Sequence, residues 1–374
     1  MIPVNRPKIT EQDRKVVAET LLETFISGES PPVKSLQKNL EETLGANHAA
    51  VFSSGTTAID ICVEALGIKP GDKCIVPTFT IISTVSSLLR KGAKLLLVDS
   101  DPHTWNMNSI EASKWIDKST KLVLPVHIYG LSVDMGPIME RASETKTFVL
   151  EDAAEALGVK YKDKYCGTLG DAGVFSFYAN KIVTGGEGGA VVSKSKSFVD
   201  NVSYLRNLCF SPEERFVHTD LGWNGRMGGL AASLASSQLS RLDGLVTEKQ
   251  AIGREYRDGL SGHPWFDFQP AETEYSTNLY WVFGAVLKRN APINAKELQK
   301  ILTDRGIETR RFFCPIHLQP LNLKTQIEFT SDLKNSEVLW DRGLYFPSGL
   351  GNTKEEIHTV IDVLWSLVSQ FNNK

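Results

Sequence analysis

Three short groups of residues in this sequence have the types and spacing that chemistry requires. The first is the segment 53–57 (SSGTT), a small turn between an apolar run and an amphipathic stretch that begins near Ala58. Backbone N–H groups at the start of a helix, together with the positive end of its dipole, suit a phosphate. An ordinary Ser/Thr helix cap has the same composition, so this turn alone leaves both interpretations open.

Two adjacent acids, Glu151 and Asp152, close the apolar run 147–150. Functional side chains gather at the carboxyl ends of parallel strands, where an acid can bind a metal, act as a general base or pair with a protonated ring nitrogen. Many acids at strand ends are simply solvated. No His or Cys stands at metal-ligand spacing around the pair, so the sequence predicts no metal site.

The third group centres on Lys181, which follows the aromatic run 173–178 (GVFSFY) and precedes the glycine-rich segment 185–189 (GGEGG). A lysine in an apolar site can lose its proton and become a nucleophile towards a carbonyl carbon. A surface lysine beside a flexible turn is the alternative. A phosphate cup, a carboxylate for a pyridine nitrogen and a Schiff-base lysine are the three requirements of a pyridoxal phosphate enzyme.

The elements that would position these groups alternate between strand and helix patterns. Short apolar runs separated by segments with apolar residues at helical spacing predict βαβ units and a mainly parallel sheet covered by helices. Ligands of such α/β sheets bind beyond the carboxyl ends of the strands. The predicted strands are 49–53, 73–77, 93–98, 121–126 and 147–152.

After about residue 225 the pattern changes, which predicts a second, smaller α+β domain. We expect a long helical stretch to about residue 260, a strand within 278–287, and helices near 295–305 and 353–371. The predicted domains are 1–240, a large domain with the N-terminal segment, and 241–374, the small C-terminal domain.

Composition excludes several functional classes. Lys and Arg number 41 against 44 for Asp and Glu, so the net charge of −3 does not favour nucleic acid as a partner. Five Cys without a C-x-x-C pair favour a reducing compartment. The sequence has no apolar stretch of about 20 residues, the length that spans a membrane, and it begins without the apolar region of a secretory signal. These features predict a cytoplasmic protein.

A series of motifs along almost the whole chain resembles the DegT/DnrJ/EryC1/StrS family of sugar aminotransferases. These motifs include SSGTTA, GDKCIVPTFT, VLEDAAEALG, YCGTLGDAGVFSFYANK, GEGGAVV and IETRRFFCPIH. The resemblance implies the type I fold of aspartate aminotransferase and the cofactor pyridoxal 5′-phosphate, with pyridoxamine 5′-phosphate formed during turnover. Within the family the sequence is most similar to GDP-perosamine synthases, which implies transfer of the amino group of L-glutamate to a nucleotide-linked 4-keto-6-deoxyhexose for surface-glycan synthesis.

The resemblance also assigns roles to individual residues. Lys181 would hold the cofactor covalently and carry protons, Asp152 would pair with the ring nitrogen, and Glu155 would contact the ring. The phosphate would be held by Gly55, Thr56 and Ser176, and by Asn224 from the other subunit of a homodimer with shared active sites.

For the nucleotide sugar, the resemblance implies Arg310 and His317, with His218 reaching the same region. Each of these three could instead be an ordinary surface or core residue. Among the departures from the family pattern, Ile81 stands where relatives often have an aromatic residue over the ring, and Asn278 replaces a His. These departures leave the identity of the sugar and its nucleotide open.

Three alternatives remain at this point. A 3-keto-sugar aminotransferase or a pyridoxamine-dependent sugar dehydratase would have the same fold, but dehydratases of this type carry a His where this sequence has Lys181. A regulator that binds cofactor without turnover belongs to a different class. The absence of an appended DNA-binding pattern and the slightly negative charge argue against a DNA-binding regulator.

Overall fold

The computed structural model describes residues 1–211, 213–214, 216–323 and 325–372. Its strands are, in chain order, β1 (His48–Phe52), β2 (Lys73–Pro77), β3 (Lys94–Val98), β4 (Thr120–Val123), β5 (Phe148–Asp152), β6 (Lys160–Tyr161), β7 (Lys164–Tyr165), β8 (Ala172–Ser176), β9 (Gly189–Ser193), β10 (Phe266–Phe268), β11 (Phe283–Leu287), β12 (Arg310–Arg311), β13 (Ile327–Phe329) and β14 (Gly343–Phe346). Its α-helices are α1 (Glu11–Leu22), α2 (Pro31–Leu44), α3 (Gly55–Ala65), α4 (Ser86–Arg90), α5 (Ser109–Trp115), α6 (Met135–Thr145), α7 (Lys196–Arg206), α8 (Gly229–Leu239), α9 (Leu242–Gly259), α10 (Ala295–Asp304), α11 (Lys334–Arg342) and α12 (Lys354–Asn372).

A large mixed sheet has the strand order β1-β9-β8-β5-β4-β2-β3-β13. In this spatial order, the neighbouring strands β8, β5, β4, β2, β3 and β13 pair in parallel. Strand β9 is antiparallel to both of its neighbours, β1 and β8. Strands such as β2, β3 and β5 are buried along most of their length because helices cover both faces of the sheet. This arrangement confirms the predicted α/β fold with a mainly parallel sheet.

A smaller antiparallel sheet has the order β10-β11-β14-β12. Its strands share a hydrophobic core with α9, α10 and α12, built from residues such as Tyr256, Phe283, Leu298 and Leu364. The smaller α+β part of the predicted fold is therefore present. The boundary between residues 240 and 241 stays a prediction.

Two segments link the C-terminal third to the rest of the chain. Strand β13 belongs by sequence to the C-terminal third, yet Ile327–Phe329 extends the large sheet by pairing in parallel with β3. At the other end of the chain, Ile2 forms a bridge with Ile307, and the Val4 carbonyl accepts a hydrogen bond from the Ser348 N–H. The C-terminal third therefore contributes to both sheets.

Two predicted elements differ in extent from the structure. The long helical stretch divides into α8 and α9 at Arg241, whose guanidinium donates to the buried carboxylate of Asp13 at 2.8 Å. The strand predicted within 278–287 begins only at Phe283, because Tyr280 has a left-handed backbone conformation with φ of 57°. None of the described helices is long and apolar enough to cross a membrane.

Candidate active site

A cavity of about 440 Å³ lies beside the start of α3 and the carboxyl ends of β5 and β8. Parallel strands place ligand-binding side chains at this edge of a sheet. The cavity brings together seven of the residues that the sequence predicts, namely Gly55, Thr56, Asp152, Glu155, Ser176, Lys181 and Arg310.

The turn between β1 and α3 forms an anion cradle at one end of the cavity. Ser54 caps α3 by accepting from the Thr57 N–H at 3.0 Å, and its carbonyl accepts the first helical hydrogen bond, from Ala58. The N–H groups of Gly55 and Thr56 precede that bond and point out of the helix start. A Cβ atom added at Gly189 would lie 2.5 Å from the Gly55 nitrogen, so a side chain there would crowd the cradle.

Asp152 lies at the end of β5 with 4% of its surface exposed. Its carboxylate accepts from the Thr84 hydroxyl at 2.8 Å and from the Ala154 N–H at 3.2 Å. Burial raises the pKa of Asp152, whereas those two donors and the nearby Lys181 act in the opposite direction. The carboxylate therefore has few protein partners and is available to a positively charged group in the cavity.

Glu151, the preceding residue, faces the opposite side of the sheet because side chains alternate along a strand. One carboxylate oxygen accepts from the N–H groups of Leu169 and Gly170, each at 2.7 Å. The other accepts from the Gly167 N–H at 2.8 Å and contacts Nε2 of His127 at 3.0 Å. These partners occupy the carboxylate fully, so Glu151 is structural.

Lys181 follows a short turn after β8, in which its N–H donates to the Tyr178 carbonyl at 2.9 Å. Its Nζ lies 3.9 Å from Oε1 of Glu155, whose other oxygen accepts from the Tyr129 N–H at 2.8 Å. Burial lowers the pKa of Lys181 and raises the pKa of Glu155, although the attraction between the two charges opposes both changes. An amine in this setting is a candidate nucleophile and proton carrier.

Two neighbours of these groups escaped sequence reasoning. Thr84 is fully buried and donates to Asp152, and its hydroxyl also contacts that of Thr80 at 2.9 Å. Trp281 comes from the C-terminal third, and the centroid of its ring lies 3.8 Å from Nζ of Lys181. Only the fold shows that the indole contacts the lysine.

Arg310 and Ile81 mark the open side of the cavity. The Arg310 side chain is 61% exposed and pairs with Glu308 at 3.2 Å. Ile81 is 46% exposed and lines the cavity at the position where relatives often have an aromatic ring. Asn278, the second departure from the family pattern, is buried away from the cavity, where its side chain accepts from the Tyr280 N–H at 2.7 Å.

His317 lies outside this cavity, with only 8% of its side chain exposed. Its Nδ1 contacts the Thr78 hydroxyl at 2.7 Å, and its Nε2 contacts a carboxylate oxygen of Glu337 at 3.2 Å. Within one chain, the structure therefore does not bring His317 to the other predicted residues.

His218 and Asn224 also lie away from the cavity, on the loop that joins α7 to α8. Nδ1 of His218 contacts the Leu208 carbonyl at 2.6 Å, and the Asn224 side chain accepts from Arg226 at 3.0 Å. Leu221, on the same loop, is 93% exposed. The predicted roles of His218 and Asn224 thus require a second chain.

The sequence matches the model of the DegT/DnrJ/EryC1/StrS aminotransferase family over residues 7–365. The chain belongs to this family. Among curated relatives, it is 35% identical over 320 residues to a GDP-perosamine synthase of Escherichia coli O157:H7, covering 86% of each protein. It is 33% identical over 363 residues to a GDP-perosamine synthase of Caulobacter vibrioides, covering 97% of each.

Solved structures share the fold over nearly their whole length. The aminotransferase TlmJ from Streptoalloteichus hindustanus superposes with a TM-score of 0.91 at 26% identity, covering 99% of this chain and 100% of that one. An E. coli GDP-4-keto-6-deoxy-D-mannose-3-dehydratase, solved with bound hydrated pyridoxal phosphate, gives 0.90 at 23% identity, with 97% and 99% covered. Aminotransferases of this family depend on pyridoxal 5′-phosphate, which confirms the predicted enzyme class and cofactor.

The residues of the cavity fit this cofactor. The Gly55–Thr56 cradle, with Ser176 beside it, suits the phosphate, because a Cβ on Gly55 would lie 3.2 Å from that of Ser176. Asp152 supplies a buried carboxylate with spare acceptor capacity for a protonated ring nitrogen. Lys181 supplies a buried amine next to it. We expect these groups to hold the cofactor.

Proposed function

We propose that this protein transfers the amino group of L-glutamate to the keto carbon of a nucleotide-linked 4-keto-6-deoxyhexose, as a GDP-perosamine synthase would. The observation that carries the proposal is the buried amine of Lys181 in one cavity with Asp152 and the anion cradle. The curated GDP-perosamine synthases, one of them matched over 97% of both chains, support this choice of substrate. The product would enter the synthesis of a surface glycan such as an O-antigen.

When bound, pyridoxal phosphate supplies a ring that withdraws electrons from the carbon next to the substrate nitrogen. The chain's own residues provide binding and proton transfer. The cradle at Gly55 and Thr56 binds the phosphate, and Asp152 holds a proton at the ring nitrogen. Lys181 Nζ removes the proton from Cα of glutamate and, in the second half of the reaction, delivers a proton to the aminated carbon of the sugar.

Glu155 supports Lys181 in this role. Its carboxylate is fixed by the Tyr129 N–H and lies within 3.9 Å of Nζ, so it stabilises the protonated amine between transfers. The aromatic residues Trp281, Phe313 and Tyr345 line the cavity and keep water from the reacting groups.

The nucleotide sugar would enter from the open side of the cavity, where Arg310 is exposed. A guanidinium there attracts the diphosphate that links sugar and nucleotide. His317 would contact the nucleotide after rearrangement of its bonds with Thr78 and Glu337.

We propose further that the protein is a homodimer whose active sites are shared. The loop that carries His218 and Asn224 exposes the apolar side chains of Val217 and Leu221 to solvent, which favours burial against a second copy. In that arrangement Asn224 would reach the phosphate in the partner's cavity. The five free cysteines, four of them buried, support a cytoplasmic location because cytosolic proteins rarely form disulfides.

The test begins with the visible absorbance of the purified enzyme after addition of pyridoxal phosphate. We expect a band that disappears in Lys181→Ala, whereas Lys249→Ala, the same change at another buried lysine, retains it. A band that survives Lys181→Ala would contradict the mechanism.

Turnover is then measured with L-glutamate and 4-keto-6-deoxyhexoses linked to GDP, UDP or dTDP, and with a 3-keto isomer. Formation of 2-oxoglutarate together with the 4-amino sugar supports the proposal. Amination at C3 or loss of a hydroxyl group would indicate one of the alternative reactions, and cofactor binding without any turnover would indicate a regulator.

A further inference from the structure

Lys181 lies in a segment without regular secondary structure, so its position depends on contacts from elsewhere. Residues 177–188 join β8 to β9. Within this segment, the carbonyl of Asn180, next to the lysine, accepts hydrogen bonds from side chains elsewhere in the chain. This carbonyl accepts from Nε1 of Trp281 at 2.9 Å, with Nδ2 of Asn5 further away at 3.4 Å. The indole N–H is therefore the closer of these two side-chain donors to the Asn180 carbonyl.

The same indole also contacts the side chain of the lysine. Nζ of Lys181 lies 3.8 Å from the centroid of the Trp281 ring, within the range of a cation–π contact. Oε1 of Glu155 lies 3.9 Å from the same Nζ. Trp281 thus contacts both the Asn180 carbonyl, next to Lys181 in the chain, and the amine of Lys181 itself.

Trp281 is itself held firmly. It is 4% exposed, and its backbone packs so closely on Gly130 that a Cβ there would lie 2.7 Å from the Trp281 nitrogen. Gly130 has a φ of 96°, which only glycine adopts readily. Asn278 fixes the preceding turn through its bond from the Tyr280 N–H. The indole is therefore a rigid support.

We propose that Trp281 is a positioning residue for Lys181: its N–H fixes the turn at Asn180, and its ring is the surface on which the free amine rests. The proposal depends on the proposed function only in taking Lys181 as the cofactor-binding amine. It assigns to the indole the task of holding Nζ in place whenever that amine is not joined to the cofactor. Other charged groups that line the cavity are Asp152, Glu155, Glu187, Arg310 and Arg311.

The experiment compares two properties of the cofactor-free protein. The first is the rate at which Lys181 captures pyridoxal phosphate, followed by stopped-flow absorbance. In this step Nζ attacks the aldehyde carbon, a C=N bond replaces the C=O bond, and water leaves. The second is the affinity for pyridoxamine phosphate, which has no aldehyde and binds without joining the lysine. Neither measurement involves a sugar or glutamate, so the result does not depend on the proposed substrate.

For Trp281→Leu, which removes ring and N–H, we expect capture to slow about tenfold because the amine is no longer aligned. Affinity for pyridoxamine phosphate should stay within about twofold. Trp281→Phe keeps an aromatic face and should recover part of the rate. Trp105→Leu is the matched control: Trp105 is 3% exposed and packs on Tyr129, as Trp281 does, but lies outside the cavity.

Equal capture rates in the parent and both Trp281 variants would overturn the proposal. A parallel fall in capture and in affinity for pyridoxamine phosphate, with no recovery in Trp281→Phe, would overturn it as well, since Trp281 would then be only a wall of the cavity. A slow capture in Trp105→Leu equal to that of Trp281→Leu would show a general effect of core disruption and would likewise contradict it.

Discussion

The two faces of β5 at its carboxyl end carry adjacent acids with opposite roles. Glu151 receives three backbone N–H bonds and contacts His127, all within the protein. Asp152 receives one hydroxyl and one N–H bond and lines the cavity. Both are buried, so burial does not distinguish them. The two acids differ in the number of their hydrogen-bond partners. Asp152, which has fewer within the protein, keeps acceptor capacity for a ligand and is therefore the one available for chemistry.

The strongest test of this contrast is Asp152→Asn. The amide retains the shape but cannot hold a proton on the ring nitrogen, so we expect kcat to fall about 1,000-fold. The free energy of unfolding of the cofactor-free protein should not fall, because Asp152 has few internal partners to lose. Steady-state kinetics and urea unfolding measure the two quantities. A fall in kcat of less than about tenfold would show that the reaction does not need Asp152 to keep the ring nitrogen protonated.

Glu151→Gln should give the opposite result. The new NH₂ group faces backbone N–H donors and leaves at least one without an acceptor, which costs about 2 kcal/mol of unfolding free energy. Activity per folded molecule should stay within about threefold, because the side chain points away from the cavity. Urea unfolding and active-site titration provide the measurement. If kcat fell as far as in Asp152→Asn without loss of stability, the assigned roles would be wrong.

A smaller effect should appear in the pH dependence of stability. Burial raises the pKa of Asp152, so the folded chain binds this proton more tightly than the unfolded chain does. The resulting stabilisation is complete below the ordinary pKa of 3.8 and is lost as the pH rises through the higher pKa of the folded state. The cofactor-free parent should therefore lose stability relative to Asp152→Asn as the pH rises from acidic to neutral. Parallel stability curves for the two proteins would contradict this expectation.

Much of the fold was predictable because its signals are local. Apolar runs and helical spacing placed β2 at its observed bounds and the other predicted strands of the large sheet within three residues of theirs. Asp152 and Lys181 could be singled out because each follows such a run. Their convergence in one cavity follows from the rule that parallel strands present their carboxyl ends at one edge.

The rest depended on contacts between distant parts of the chain. Strand alternation places Glu151 and Asp152 on opposite faces but does not say which face holds the cavity; the family resemblance selected Asp152. The contact of Trp281 with Lys181 joins the segment after β8 of the large sheet to the segment before β11 of the small sheet, and no local pattern encodes it. His317 contacts Thr78, 239 residues away in the sequence, and Glu337, 20 residues away, and no local pattern encodes either contact.

Strand β13 also bears on how the protein is made. Its parallel partner β3 leaves the ribosome first, and residues 99–326 must follow before β13 can pair with it. At roughly 5 to 20 residues per second, β3 remains an open sheet edge for tens of seconds. Exposed strand edges invite pairing with other chains. We therefore expect nascent chains that end before residue 327 to be the form most prone to aggregation and most dependent on chaperones.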